Sequence, residues 1–244
     1  MSGASRDLAR VDDEPAFVLH SYPYSETSLL IDVYTAHHGR LPLLARGARR
    51  PRAALRGVLQ AFQPLAIGWS GRGEVRTLQR AEWMGGVPRP AGRALWCGFY
   101  LNELIMRLVP RDDPHEALFA DYARAVSQVC VGSDPEPVLR LFEKRLLSCL
   151  GYGLVLDVEA DSRRPLEDET PYTYDPDRGP LRAQAQGAVP GVFTGGVLRA
   201  IASERFEDRW VLSQAKLLMR QVIAHRLEQK PLRVTQVWRD LLEI

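Results

Sequence analysis

The amino-acid sequence predicts an α+β chain in which a small closed β-barrel leads and a larger, mostly α-helical domain follows. Three observations predict it. Between Ala16 and about Trp83, five short segments rich in β-branched and aromatic residues are separated by turn signals. From Arg93 onward, apolar residues recur at helical rather than strand spacing. Inside the β region lies one long connection, within "LPLLARGARRPRAALRGVLQAFQPL" from Leu41 to Leu65, too basic in its middle to be core.

Taken in order, "AFVLHSY" and "TSLLIDVYT" read as the first two strands, with "SYPYSE" supplying the break between them. "HHGR" reads as a turn at Gly39 leading into "RLPLLARG". After the basic connection, "FQPLAIGWS" and "EVRTLQRAEW" flank a Gly-Arg-Gly turn at Gly71–Gly73. Five such strands with one long connection suit an OB-fold barrel. The barrel is placed at residues 16–85, residues 1–15 as a disordered tail, and residues 86–244 as the helical domain.

In that domain "RALWCGFYLNELIMRLV" sets Leu95, Phe99, Asn102 or Glu103, and Met106 on successive turns and stops at Pro110. "PHEALFADYARAVSQVC" aligns Leu118, Tyr122, Val126 and Val129 on one face. "SDPEPVLRLFEKRLLSCLGYG" offers Asp134 as N-cap, Pro135 at the first helical position, a stripe of Val138, Phe142 and Cys149, and Gly151 as terminator. From about 155 to 191 the sequence is rich in acids and turn residues. It predicts an irregular insertion, loosely packed, with one short strand near "TPYTY". "TGGVLRAIAS", "DRWVLSQAKLLMRQVIAHRLEQ" and "LRVTQVWRDLLE" return to helix.

The net charge of +2 hides a strong asymmetry. Between Arg40 and Arg80 there are nine arginines and one acid, Glu74, so the remainder of the chain is net acidic. Lysine contributes only Lys144, Lys216 and Lys230. Cys97, Cys130 and Cys149 are scattered through apolar stretches, which suits a reducing compartment better than a disulfide framework. "MSGASRDLARVDDEPAF" has no signal-type apolar core, and no run approaches a membrane span. A cytoplasmic protein with no membrane partner is expected.

Catalytic patterns are missing. There is no Gly-rich phosphate loop ending in Lys-Ser/Thr and no Gly-x-Ser-x-Gly elbow. Asp12–Asp13 and Asp112–Asp113 read as solvated caps, His37–His38 as turn residues, and the cysteines as small core residues. No catalytic residue, metal or cofactor is expected.

The arginines are the candidate site. Arg46, Arg49, Arg50, Arg52 and Arg56 fall within eleven residues, with no acid among them. They occupy a connection of a small barrel, where OB-folds hold nucleic acid. Arg40, Arg72 and Arg76 would extend the track along neighbouring strands. Binding of this kind releases counterions from phosphates, so it weakens steeply with salt. Trp69, Phe62 and Tyr34 are candidate base-stacking aromatics, unless they simply fill the barrel. A solvated loop in an arginine-rich proteome is the plainer alternative. In the helical domain, Arg140 with Phe142, and Lys216 with Arg220 in "AKLLMRQVI", form a candidate receptor for an acidic, aromatic peptide end. An ordinary amphipathic helix pair is the alternative there.

Together, "AFVLHSYPYSETSLLIDVYTAHHGRLPLLARGARRPRAALRGVLQAFQPL", "GRGEVRTLQRAEW", "YLNELIMRLVPRDDPHEALFADY" and "PEPVLRLFEKRLLSCLGYG" closely resemble the RecO family of bacterial recombination mediators. "FTGGVLRAIAS" and "KPLRVTQVWRDLL" match more loosely. The resemblance implies a non-enzymatic protein that binds single- and double-stranded DNA and anneals strands coated with single-stranded DNA-binding protein. It also implies contact with that protein's acidic, Phe-ending tail, with Arg140 in the tail site, and action with RecR to load RecA. Ser25–Glu26–Thr27 matches a strand-linking signature of the family, assigned to structure. Many members carry a four-cysteine zinc module. "LVLDVEADSRRPLEDETPYTYDPDRGPL" has no cysteine, so this chain resembles the zinc-free branch. An OB-type RNA-binding module and an adaptor without annealing activity remain the rival readings.

Overall fold

The computed structural model describes residues 10–183 and 191–242, with side chains as far as residue 237. The chain divides into two compact units, one running to Gly132 together with the residues from Val237 on, the other Ser133–Gln236. The change from strand to helix that the sequence places near residue 85 falls inside the first unit. No described helix is long and apolar enough to cross a membrane.

The first unit begins with β1 (Arg10–Tyr24), β2 (Ser28–Thr35), β3 (Gly39–Ala45), β4 (Leu65–Ser70) and β5 (Arg76–Trp83), closed in the order β1-β2-β3-β5-β4. β1 is long enough to serve two neighbours. Its first half pairs with β4 from Arg10↔Ser70 to Ala16↔Leu65, and its second half pairs with β2 from Ala16↔Thr35 to Tyr24↔Ser28. A short parallel pairing of Leu43–Leu44 with Arg76–Thr77 closes the barrel. Val18, Ile31, Val33, Leu43, Ile67 and Trp69 fill it. Residues 10–15, expected as tail, are therefore strand, and residues 1–9 lie outside the described residues. Two acids and a bulge between Val11 and Glu14, with Asp13 at φ 55°, hide the strand pattern there.

Helices α1 (Arg93–Leu108) and α2 (Glu116–Cys130) cover one outer patch of the barrel. Phe17 and Tyr34 meet Phe119 and Tyr122 with ring centroids 5.2–5.8 Å apart. α2 buries Leu118, Tyr122, Val126 and Val129 as its spacing predicts. α1 is rotated from its predicted stripe: of those residues only Asn102 is buried, together with Cys97, Gly98, Leu101, Leu104 and Ile105, while Leu95, Phe99 and Met106 are not. The reason is steric and polar. A Cβ at Gly98 would lie 2.7 Å from Cε1 of Phe62, so only glycine admits that ring. Asn102 Nδ2 donates to the carbonyl of Leu19 at 2.8 Å, where the β1–β2 register slips, and its Oδ1 accepts from Tyr122 Oη at 2.6 Å.

This junction is internal, so removing its centre strands both partners. Asn102→Ala is expected to destabilise the protein by about 2–4 kcal/mol, since each orphaned buried polar group costs ~1–3 kcal/mol. The urea unfolding midpoint reads this directly. A loss under about 0.5 kcal/mol would mean that water takes over both bonds.

The second unit contains α3 (Pro135–Cys149), β6 (Pro171–Asp175), β7 (Gly179–Arg182), β8 (Val192–Thr194), α4 (Gly195–Ala202) and α5 (Arg209–Arg226), and α6 (Arg233–Leu242) ends the described chain. Asp134 caps α3, accepting from the Glu136 amide. The insertion expected to be irregular and loose holds the short strand expected near "TPYTY" as β6, but within an antiparallel sheet in the order β7-β6-β8; residues 184–190 of it lie outside the described residues. Tyr172, Tyr174 and Phe193 are buried in it. Asp175 Oδ1 accepts from the amides of Asp177 and Arg178 and so forms the β6–β7 turn. α5 is bonded to β6 through Gln221 Nε2 to Tyr174 O and to the same turn through Arg226 Nη2 to Pro176 O, both 2.7 Å. Those turn residues disguise a hairpin as a loop.

Candidate nucleic-acid interface

The connection between β3 and β4 is a folded segment with two faces. Ala48 and Leu59 are buried, and Leu55 and Val58 pack on the barrel core. Arg50 N bonds Gly47 O, Ala53 N bonds Arg50 O, and Arg56 N bonds Ala53 O, giving consecutive turns that end in a 3-10 turn at Ala54–Gly57. The apolar residues thus hold the segment down while Arg46, Arg49, Arg50, Arg52 and Arg56 stay exposed. Arg49 clips it to the β1–β2 turn: its amide donates to Thr27 O at 2.8 Å and Nη1 donates to Ser25 O at 3.1 Å. Ser25–Glu26–Thr27 is that turn, with Ser25 at φ 52°. Among the described residues, Arg46, Arg50, Arg52 and Arg56 have no carboxylate within ion-pair distance. Their charges remain available to anions.

The other three arginines do not continue this cluster. Arg40 is held by Val109 O at 3.1 Å and Asp32 at 3.7 Å, and Arg76 by Asp112 at 2.6 Å, with both side chains largely covered. Burial pushes the Arg40 guanidinium down from its ordinary value, with Asp32 opposing that shift. Arg72 is exposed in the β4–β5 turn, next to Ser70, which pairs with Arg10; the arginine segment adjoins the Tyr24 end of β1. The strand places the two at opposite ends of the barrel. The three candidate stacking residues are also displaced: Tyr34, Trp69 and Phe62 are 0%, 2% and 4% exposed and belong to the packing. Trp83 at the end of β5 is 59% exposed, and on β1 the exposed tyrosines are Tyr22 and Tyr24, at 41% and 53%. Sequence reasoning missed these tyrosines because "SYPYSE" reads as a break, whereas β1 runs on to Tyr24. The alternation of His20, Tyr22 and Tyr24 was the available signal.

At the β2–β3 turn the two histidines share one carboxylate. Glu14, 5% exposed, accepts from the His37 amide at 2.7 Å and lies 3.0 Å from His37 Nδ1 and 3.5 Å from His38 Nδ1. The hydrogen bond to Glu14, aided by its charge and weakly by Glu116, raises the His37 pKa above the ordinary imidazole value. A raised pKa in the folded state stabilises fully below the unfolded value near ~6.5 and is lost as pH rises through the folded one. An NMR titration should place the His37 ring above 6.5, and Glu14→Gln should return it. An unshifted ring would remove the interaction.

In the second unit the candidate partner residues sit at two depths. Arg140 and Phe142 on α3 are 6% and 2% exposed, so they are interior rather than surface residues. Arg140 Nη2 donates to Glu143 Oε1 at 2.5 Å, and Glu143 is fully buried. Lys216 and Arg220 on α5 are exposed, with Lys216 Nζ 3.3 Å from Glu136 on α3. The spacing Arg140–Glu143 is an i,i+3 pair and was readable in the sequence. Among the described residues no three His, Cys, Asp or Glu side chains converge as metal ligands would.

Comparison with known proteins covers nearly the whole chain. Residues 11–87 match the family described as Recombination protein O N terminal, and residues 89–236 match Recombination protein O C terminal. The DNA repair protein RecO of Aromatoleum aromaticum is 50% identical over 236 residues, spanning 96% of this chain and 98% of its own. That of Dechloromonas aromatica is 48% identical, spanning 97% and 98%, and that of Nitrosospira multiformis 44%, spanning 98% and 99%.

Proposed function

This chain belongs to the RecO family of DNA repair proteins, and on that premise we propose that it is a non-enzymatic recombination mediator. It binds single- and double-stranded DNA, anneals complementary strands coated with single-stranded DNA-binding protein, and helps RecR load RecA, acting in the bacterial cytoplasm at the nucleoid. The observation that carries this reading is the row of exposed arginines without acidic partners on the β3–β4 connection. Annealing needs no catalytic group. Cations that neutralise two backbones lower their repulsion and raise their local concentration, and base pairing supplies the driving force. Lys216 and Arg220 are accessible to an acidic tail, and Lys216 lies beside Glu136 of α3. This exposure supports a tail site on the α3–α5 pair.

The test is annealing of complementary oligonucleotides, each coated with the cognate single-stranded DNA-binding protein. Acceleration that fades with added salt is expected. If bare strands respond and coated strands do not, the tail site falls. If neither responds, the mediator role falls, and a preference for RNA would point to the rival OB module.

A further inference from the structure

Resting on that reading, we infer that His20, Tyr22 and Tyr24 form a base-stacking ladder that makes the barrel select single-stranded DNA through its bases. The three lie at i, i+2 and i+4 of β1, where side chains share one face. Opposite them on β2 are Asp32, Leu30 and Ser28, while their neighbours Ile31 and Val33 fill the interior. The ladder therefore faces outward. Tyr22 and Tyr24 are 41% and 53% exposed, and the His20 ring meets Tyr22 edge-on at 4.3 Å and 62°. Half-buried Leu30 and Leu44, paired across β2 and β3, continue an apolar floor beside Tyr22.

Cations adjoin one end. Ser25 follows Tyr24 directly, and its carbonyl holds Arg49 at the edge of the arginine segment. Sites for phosphates thus lie beside exposed rings, the combination that single-strand grooves use. Accessibility chooses the occupant. Unstacked bases of a single strand offer free faces to exposed rings such as Tyr22 and Tyr24, whereas the base faces of a duplex are already stacked on one another.

The experiment compares an oligothymidylate with an abasic deoxyribose-phosphate strand of equal length and charge, titrated by fluorescence anisotropy at several salt concentrations. The full chain should bind the oligothymidylate about ten-fold or more tightly than the abasic strand. Tyr22→Ala with Tyr24→Ala should erase that ratio while leaving abasic-strand affinity and its salt slope unchanged. Tyr22→Phe with Tyr24→Phe keeps the rings and should keep the ratio. Equal binding of both strands by the unaltered chain, or a ratio that survives both alanines, overturns the ladder and leaves the phosphate reading standing. Alanines that weaken both strands alike also overturn it, because the tyrosines would then only support the arginine segment. Absence of salt-dependent binding to either strand overturns the proposed function along with it.

Discussion

Replacing Arg46, Arg50 and Arg52 together by alanine is expected to weaken single-stranded DNA binding ten- to a hundred-fold at low salt. It should also flatten the log–log salt dependence by about 2, at ~0.7 for each single-strand phosphate that is no longer neutralised. The three are exposed and make no ion pair among the described residues, so the fold should not notice their removal. Arg49 is omitted because its bond to Ser25 O shapes the segment itself. Arg76→Ala is the control for an arginine that is already engaged, by Asp112, and should leave the salt slope unchanged. Anisotropy titrations across a salt series separate the two variants. A triple variant with an unchanged slope would take the segment out of the interface.

The reason sequence alone could not divide the eight arginines lies in where their partners are. Val109 and Asp112 are distant along the chain from Arg40 and Arg76 respectively, and Asp32 meets Arg40 only once β2 and β3 pair, so nothing in the arginines' own sequence distinguishes a pinned guanidinium from an available one. Local regularities were legible: the strands of the barrel, the stripe of α2, and the Asp134 cap of α3 all follow period or capping rules. The phase of α1 was not, because its inward face includes Gly98 and Asn102, whose roles depend on Phe62 and the Leu19 carbonyl. Tertiary partners also decide the aromatics. Trp69 and Tyr22 look equally fit to stack a base, and only barrel closure puts one inside and the other out.

The same limit governs the second large expected effect. Arg140→Ala should destabilise the protein by about 3–5 kcal/mol, because it leaves Glu143 charged and buried without its cation. A tail peptide that fails to bind this variant would therefore prove little, since the α3–α5 region would be impaired as a whole. Replacing both members, Arg140→Met with Glu143→Leu, removes the cation without stranding the acid and should recover most of the missing stability. Urea unfolding midpoints of the single and double variants check this first, and a single variant within about 1 kcal/mol of the parent would show that Glu143 finds other compensation. Calorimetric titration with an acidic, Phe-ending peptide then becomes decisive on the double variant. Abolished binding in a stably folded chain assigns the peptide carboxylate to Arg140. Retained binding moves it outward to Lys216 and Arg220, the cations of α5 that already face solvent.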